Sequence, residues 1–152
     1  MYNFDDFFDG LKAAIEARPN AEHLGYHLEI LDDPSFEAGV IRYIHGINEP
    51  DKRSAMTAQM RSLRRLLEER REGCKFQKDF AIQAGMAGGV SLIVGSIIAV
   101  ASGLSPFVLL IAMFGGASMV GTGYRIALNL DKERHKYEEM AIRMRDLLGE
   151  GK

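Results

Sequence analysis

The sequence predicts a mainly α-helical protein built on a two-helix transmembrane hairpin that is continuous with cytoplasmic helices. The first observation is a run of 45 residues, from Phe80 to Tyr124, without one Asp, Glu, Lys or Arg. The second is that all 40 charged residues lie in the other 107 positions. One membrane crossing needs about 20 apolar residues, so the run fits two crossings and a short turn. Arms this charged cannot easily wrap the run inside a soluble fold; a soluble form that inserts on cue is the remaining alternative.

The N-terminal cytoplasmic region, residues 1–50, begins with a segment whose apolar side chains recur at helical spacing. These side chains are Phe4, Phe7, Phe8, Leu11 and Ile15. The spacing predicts a short amphipathic helix over residues 1–18 that packs its phenylalanine face on the rest of the region. The alternative is a face that lies on the membrane or binds a partner.

Residues 21–49 allow two interpretations. Apolar residues alternate at Leu24, Tyr26, Leu28 and Ile30, which is typical of a strand. The sequence around Pro34 is either a turn or a helix start with proline at the first helical position. A small β-hairpin and a pair of short helices therefore both remain open, and we favour the helices.

Two charged segments flank the apolar run, and both are predicted to be helical. Residues 51–79 form a juxtamembrane helix that enters the first crossing, and residues 125–152 form a C-terminal cytoplasmic helix that continues the second. Each has an apolar seam near heptad spacing, which predicts that it packs on another helix. The seams are Met56, Met60, Leu63 and Leu67 in the first segment, and Leu130, Tyr137, Met140, Met144 and Leu147 in the second.

The hairpin, residues 80–124, divides near its middle into crossings of about 80–102 and 106–124. Ser105 is a predicted helix cap, followed by Pro106 at the first helical position. Lys and Arg residues cluster before the first crossing and after the second, whereas the turn carries no charge. This distribution predicts an inner-membrane protein with both termini in the cytoplasm.

Small residues recur every fourth position within the crossings and predict close helix packing in lipid. The predicted helix-packing residues are Gly85, Gly89, Ser91, Gly95, Ala99, Gly103, Gly116 and Gly121. Because several faces carry small residues, we expect more than one neighbour for each helix, and hence a homo-oligomer. The alternative is a tight hairpin in which some glycines have no packing role.

Few polar side chains interrupt the crossings. Ser118, Thr122 and Gln83 are candidates for lining an aqueous path in an oligomer. The alternative for the two hydroxyls is a hydrogen bond back to a carbonyl of the preceding turn. The run contains no acidic or basic residue, which argues against a proton relay.

Signatures of enzymes, metal sites and cofactors are missing from the sequence. His23 and His27 lack a third ligand at a fixed spacing, so no metal is expected. Cys74 has no companion base and, as the single cysteine, no disulfide partner. The clustered glycines have no lysine after them, which excludes a nucleotide loop. The basic residues before the hairpin are mixed with acids, so we expect no nucleic-acid partner.

The order of these segments resembles that of the SLATT-type two-transmembrane effectors of bacterial nucleotide-signalling and antiviral defence systems. The resemblance covers about residues 60–148 and rests on an arginine-rich helix, a two-span hairpin and a charged helix that carries Tyr124-Arg125 and Glu133-Arg134-His135-Lys136-Tyr137. It implies a hairpin that assembles into a pore and depolarises the membrane on a signal. It also implies that the cytoplasmic part senses a nucleotide or a partner protein.

Two functions follow as expectations. The first is a homo-oligomeric channel or pore-forming effector that is gated through its cytoplasmic helices. The second is a non-conducting membrane anchor or scaffold that recruits a cytoplasmic partner. The expected partners are the lipid bilayer, further copies of the chain and a cytoplasmic signalling ligand or protein.

Overall fold

The computed structural model describes residues 3–17, 23–103 and 105–149, and these residues form five α-helices. The helices are α1 (Phe4–Ala17), α2 (Leu24–Leu31), α3 (Pro34–Gly46), α4 (Pro50–Ala101) and α5 (Phe107–Leu147). The chain divides into two compact units, to which α4 and α5 both contribute. The bundle unit comprises Met1–Gly73 and Glu133–Lys152, and the hairpin unit comprises Cys74–Lys132.

The strand interpretation of residues 21–49 is wrong, because the described part of this segment forms α2 and α3. Leu24, Leu28 and Leu31 are buried, and their spacing of four and three residues is that of one helix face. Tyr26, which the alternating pattern placed on the same face, is 67% exposed. Asp33 caps α3 by accepting a hydrogen bond from the Ser35 backbone N–H at 2.9 Å, with Pro34 at the first helical position.

The bundle unit has a core of large apolar side chains. All four predicted seam residues of the first charged segment are buried, and so are four of the five in the second, while Leu130 is half-buried. The face predicted for α1 contributes Phe8, Leu11 and Ile15 to this core. The amphipathic patterns of α1, α4 and α5 therefore identified the buried faces correctly.

Polar contacts tie the helices of the bundle unit together at its surface. Arg143 pairs with Asp32 at 2.6 Å, and Arg71 lies 3.6 Å from Glu138. The pKa of the Arg71 guanidinium is raised, chiefly by its hydrogen bond to Glu72. Because these groups are solvated, each pair contributes about 0–1 kcal/mol to the free energy of unfolding, less than the burial of one large core side chain.

The hairpin unit consists of the last part of α4 and the first part of α5. Both α4 and α5 are long and apolar enough to cross a membrane. In the most apolar 18-residue stretch of each helix, only 11% and 17% of the residues, respectively, are buried. Gly103, two residues beyond α4, has a φ of 94°, a left-handed conformation that glycine adopts without strain. Ser105 Oγ accepts a long hydrogen bond of 3.4 Å from the Phe107 backbone N–H at the start of α5.

Candidate functional site

The two helices of the hairpin unit meet through glycines at backbone contact distance. A Cβ atom at Gly89 would lie 2.7 Å from the carbonyl oxygen of Gly116, and one at Gly116 would lie 2.8 Å from that of Gly89. Nearer the charged end, a Cβ atom at Gly123 would lie 2.7 Å from the Ala81 carbonyl oxygen. Real Cβ atoms are not found this close to backbone oxygens, so any larger residue here would force the helices apart.

Three of the predicted helix-packing residues, Gly85, Gly89 and Gly116, lie in this contact. Gly95, Gly103 and Gly121 do not, because a Cβ atom at any of them would have no atom within 4 Å outside its own helix backbone. Ser91 is exposed and Ala99 is half-buried. The predicted set therefore includes three glycines that close the hairpin and three, Gly95, Gly103 and Gly121, that lie outside the contact.

Gly123 also lies in the contact, although it was not among the predicted packing residues. A Cβ atom there would lie 3.2 Å from the Gly85 Cα atom. The signal was present in the sequence, because Gly123 follows Gly116 by seven residues, which returns to the same helix face.

Most of the outer surface of the hairpin unit is apolar. Phe114 is 77% exposed, and Ile98 is 61% exposed. Other large apolar side chains that point outward are Met86, Val90, Val94, Ile97, Leu110, Ile111, Met113 and Met119. Exposed apolar surfaces of this kind are typical of sites that contact a membrane or another protein.

One face of the hairpin unit contains a groove of about 620 Å³ with small residues from both helices. Ser118 and Thr122 line it from α5, and Gln77 lines it from α4. Gln83, the third candidate pore-lining residue, is exposed and does not line this groove. Gln77 lay outside the apolar run and was not predicted, yet it precedes Ala84 by seven residues and so shares its face. The remaining lining residues are Phe76, Phe80, Ala81, Ala84, Gly85, Gly88, Met119, Gly123, Ile126 and Leu130.

The hydroxyl groups in the hairpin unit differ in their hydrogen bonding. Ser96 Oγ donates to the Ile93 carbonyl oxygen at 2.7 Å, and Ser102 Oγ donates to that of Ile98 at 2.9 Å. Ser118 and Thr122 have no hydrogen-bond partner among the described residues. The back-bonding that satisfies Ser96 and Ser102 therefore does not satisfy the two hydroxyls in the groove.

The groove ends near an ion pair that joins the two helices. Lys78 on α4 donates a hydrogen bond of 2.6 Å to Asp131 on α5. From Phe80 to Tyr124 the sequence contains no acid or base that is charged at neutral pH. Within the groove, the polar side-chain groups are therefore the hydroxyls of Ser118 and Thr122 and the amide of Gln77.

The histidines and the cysteine considered for catalysis or metal binding have structural contacts. Cys74 is buried, and His27 Nδ1 lies 3.2 Å from the His23 carbonyl oxygen, to which it can donate as the Nδ1–H tautomer. Within the described ranges, no three His, Cys, Asp or Glu side chains come close enough together to hold a metal ion.

Comparisons with protein-family models, with curated proteins and with solved structures find no match to this chain. The resemblance to SLATT-type effectors therefore stays a prediction, and the function is inferred from the chemistry of the chain's own surfaces.

Proposed function

We propose that this chain is a homo-oligomeric membrane channel or pore-forming effector that dissipates the membrane potential. The observation that carries the proposal is the pair of hydroxyls at Ser118 and Thr122, which lie without hydrogen-bond partners in a small-residue groove on an otherwise apolar hairpin. In this proposal the hairpin unit crosses a bacterial inner membrane, and the bundle unit controls it from the cytoplasm.

The exposed apolar surface supports the membrane step. Contact with lipid tails is favourable for large outward-facing side chains such as Phe114 and Ile98, whereas their exposure to water is unfavourable. All backbone groups within the two apolar windows are in helices, which a hydrocarbon environment requires. Basic residues on both flanks, among them Lys75 and Arg125, favour a cytoplasmic position for both ends of the hairpin.

The outward-facing small residues support the oligomer step. Gly95 and Gly121 leave open space around their Cα atoms and are not needed for the hairpin contact. In lipid, such positions let a neighbouring helix approach closely, and dispersion forces then hold the helices together. A second copy of the chain is the neighbour that is always present.

The groove supports the conducting step. A hydroxyl left unpaired in hydrocarbon costs about 1–3 kcal/mol, which contact with water or with a polar group of a neighbour would remove. A path lined by Ser118, Thr122 and Gln77 would hold water without offering a charged ring. Without such a ring, selectivity among small ions should be weak, which suits a pore that collapses an ion gradient.

Helix continuity supports gating through the bundle unit. α4 runs without a break from Pro50 to Ala101, and α5 runs from Phe107 to Leu147. A ligand or protein that rearranged the bundle would therefore act on helices that continue into the crossings. This is the role we assign to the cytoplasmic signal.

A non-conducting anchor that recruits a cytoplasmic partner is the second candidate function. It is favoured by the absence of Asp, Glu, Lys, Arg and His from the apolar run and by the fact that lipid alone can cover the exposed apolar surface. The anchor and the channel differ in whether water reaches the groove.

Ion flux through the purified protein in liposomes tests the proposal. The double variant Ser118→Ala/Thr122→Val should reduce flux roughly tenfold or more, if each hydroxyl contributes about 1 kcal/mol to holding water in the path. Gly95→Leu should abolish flux by blocking assembly, while the hairpin contact stays intact. Ser102→Ala is the matched control, because that hydroxyl is already paired with the Ile98 carbonyl, and its flux should equal that of the parent.

A shut channel would give no flux, so a second measurement separates it from an anchor. In a Cys74→Ala background, Ser118→Cys and Thr122→Cys should react with a membrane-impermeant thiol reagent. Phe114→Cys, at an exposed position outside the groove, should stay unreactive in lipid. Unreactive cysteines at both groove positions, together with no flux, would establish the anchor.

A further inference from the structure

The bundle unit contains a second cavity, a cleft of about 670 Å³ at one end of its helices. Its apolar lining consists of Ile41 and Ile44 on α3, Leu147 at the end of α5 and Leu148 directly after it. The volume lies within the roughly 300–1,000 Å³ that small-molecule sites occupy. All lining residues belong to the bundle unit, so the cleft does not depend on how the hairpin unit is used.

One side of the cleft offers hydrogen-bond donors and positive charge. Arg53, in the first turns of α4, donates from Nη2 to His45 Nδ1 at 3.0 Å. Because a guanidinium only donates, His45 Nδ1 is the acceptor in this contact. No carboxylate pairs with Arg53 in the part of the chain that the structure describes. The N-terminal end of α4 adds a partial positive charge.

The cleft also offers negative charge at its other end, since Glu37 lies on α3 about two helical turns before His45. Asp146 and Glu37 both line it, and among the described residues Glu37 has no partner. Asp146 Oδ1 lies 3.7 Å from Arg145 Nε, which is too long for a hydrogen bond. α5 ends at Leu147, beside this side of the cleft, where its last carbonyl groups add a partial negative charge.

We propose that this cleft binds a small zwitterion with an apolar body, of which a short peptide with free termini is the simplest example. Its carboxylate would bind the Arg53 guanidinium, its ammonium group would bind Asp146 and Glu37, and its side chains would cover the isoleucines and leucines that also line the cleft. A polyanion such as a nucleoside triphosphate fits poorly, because it would meet two carboxylates and only one guanidinium.

Calorimetric titration of the full chain in detergent tests this inference with the dipeptide Leu-Leu and with free leucine. At least one of the two should bind saturably. N-acetyl-Leu-Leu lacks the ammonium group and Leu-Leu-amide lacks the carboxylate, so each should bind roughly tenfold or more weakly than Leu-Leu, as expected for a lost charge-assisted hydrogen bond. ATP is the comparison ligand and should show no binding.

Variants assign the two sides of the cleft. Arg53→Gln should weaken Leu-Leu binding but leave the affinity for Leu-Leu-amide, which lacks the carboxylate, nearly unchanged. Asp146→Asn should also weaken Leu-Leu binding but leave the affinity for N-acetyl-Leu-Leu, which lacks the ammonium group, nearly unchanged. The controls Arg65→Gln and Glu139→Gln remove exposed charges that do not line the cleft and should have no effect. Circular dichroism checks that each variant keeps its helix content.

Three results would overturn the inference. These are no saturable binding of leucine or Leu-Leu at millimolar concentration, equal binding of the capped and uncapped dipeptides, and binding of ATP alone. None of them bears on ion flux, so failure here is distinguishable from failure of the proposed channel.

Discussion

The bundle unit and the hairpin unit bury opposite kinds of side chain. The bundle unit encloses large residues such as Phe36 and Tyr137, with its charged residues outside. The hairpin unit buries mainly small residues such as Gly89 and Gly116, and it turns large residues such as Phe114 outward. The same chain therefore uses two ways of holding helices together. One removes apolar area from water, and the other brings backbones into van der Waals contact.

This difference predicts opposite sensitivities to substitution. A bundle held by large side chains should be damaged when they are shortened, because truncation leaves a cavity. A hairpin whose helices meet through glycines should be damaged when a larger residue replaces one of these glycines. Each prediction below compares a change in one unit with a matched change that should have little effect.

The largest expected effect is a truncation in the core of the bundle unit. Leu67 is fully buried, and Leu67→Ala should lower the free energy of unfolding by about 2–5 kcal/mol. Phe114→Ala removes more atoms from an exposed site and should change it by less than about 0.5 kcal/mol. Urea unfolding in detergent, followed by circular dichroism, measures both changes. A larger loss from Phe114→Ala would contradict the assignment of the two surfaces.

An enlargement in the hairpin contact should have the next largest effect. Gly89→Leu places a side chain against the Gly116 carbonyl oxygen and should cost about 1–3 kcal/mol or separate the helices. Gly95→Leu meets open space and should leave the monomeric hairpin within about 0.5 kcal/mol of the parent. Unfolding in mixed detergent micelles measures the two free energies. Equal costs would mean that Gly89 does not close the hairpin. Gly116 is unsuited to a test of oligomerisation, because it lies in the same contact.

A change of pH should affect the bundle unit slightly and the hairpin contact not at all. Tyr43 donates a hydrogen bond of 3.0 Å to Asp5, which raises the pKa of the phenol above its usual value of 10. The resulting stabilisation is complete below pH 10 and is lost as the pH rises through the higher value in the folded state. Tyr43→Phe should cost less than about 1 kcal/mol at pH 7 and should remove part of the alkaline loss of stability. If the parent and the variant lost the same amount of stability at alkaline pH, the Tyr43–Asp5 hydrogen bond would be excluded as the source of that loss.

Much of the fold could be predicted because helical periodicity survives in the sequence. The seam from Met56 to Leu67 was identified as a buried face, and the charge-free run located the hairpin. Residues 21–49 were ambiguous because eight residues of α2 fit either period, and the exposure of Tyr26 depends on tertiary packing.

The candidate site was harder to predict because small residues recur at a spacing of four on more than one face of each helix. Spacing alone could not decide that Gly89 contacts the opposite helix while Gly95 does not, since this depends on which face each helix turns toward the other. Nor could it distinguish the paired hydroxyl of Ser96 from the unpaired hydroxyl of Thr122, which have similar sequence surroundings.

The charge-free run from Phe80 to Tyr124 has an electrical consequence. Moving one elementary charge through a membrane requires about 2.3 kcal/mol per 100 mV, but a hairpin without charges requires no such work. In the proposed arrangement, voltage would neither help the hairpin enter the bilayer nor hold it in a particular position. The pore would therefore lack a voltage sensor of its own, and it would respond only to what binds its bundle unit.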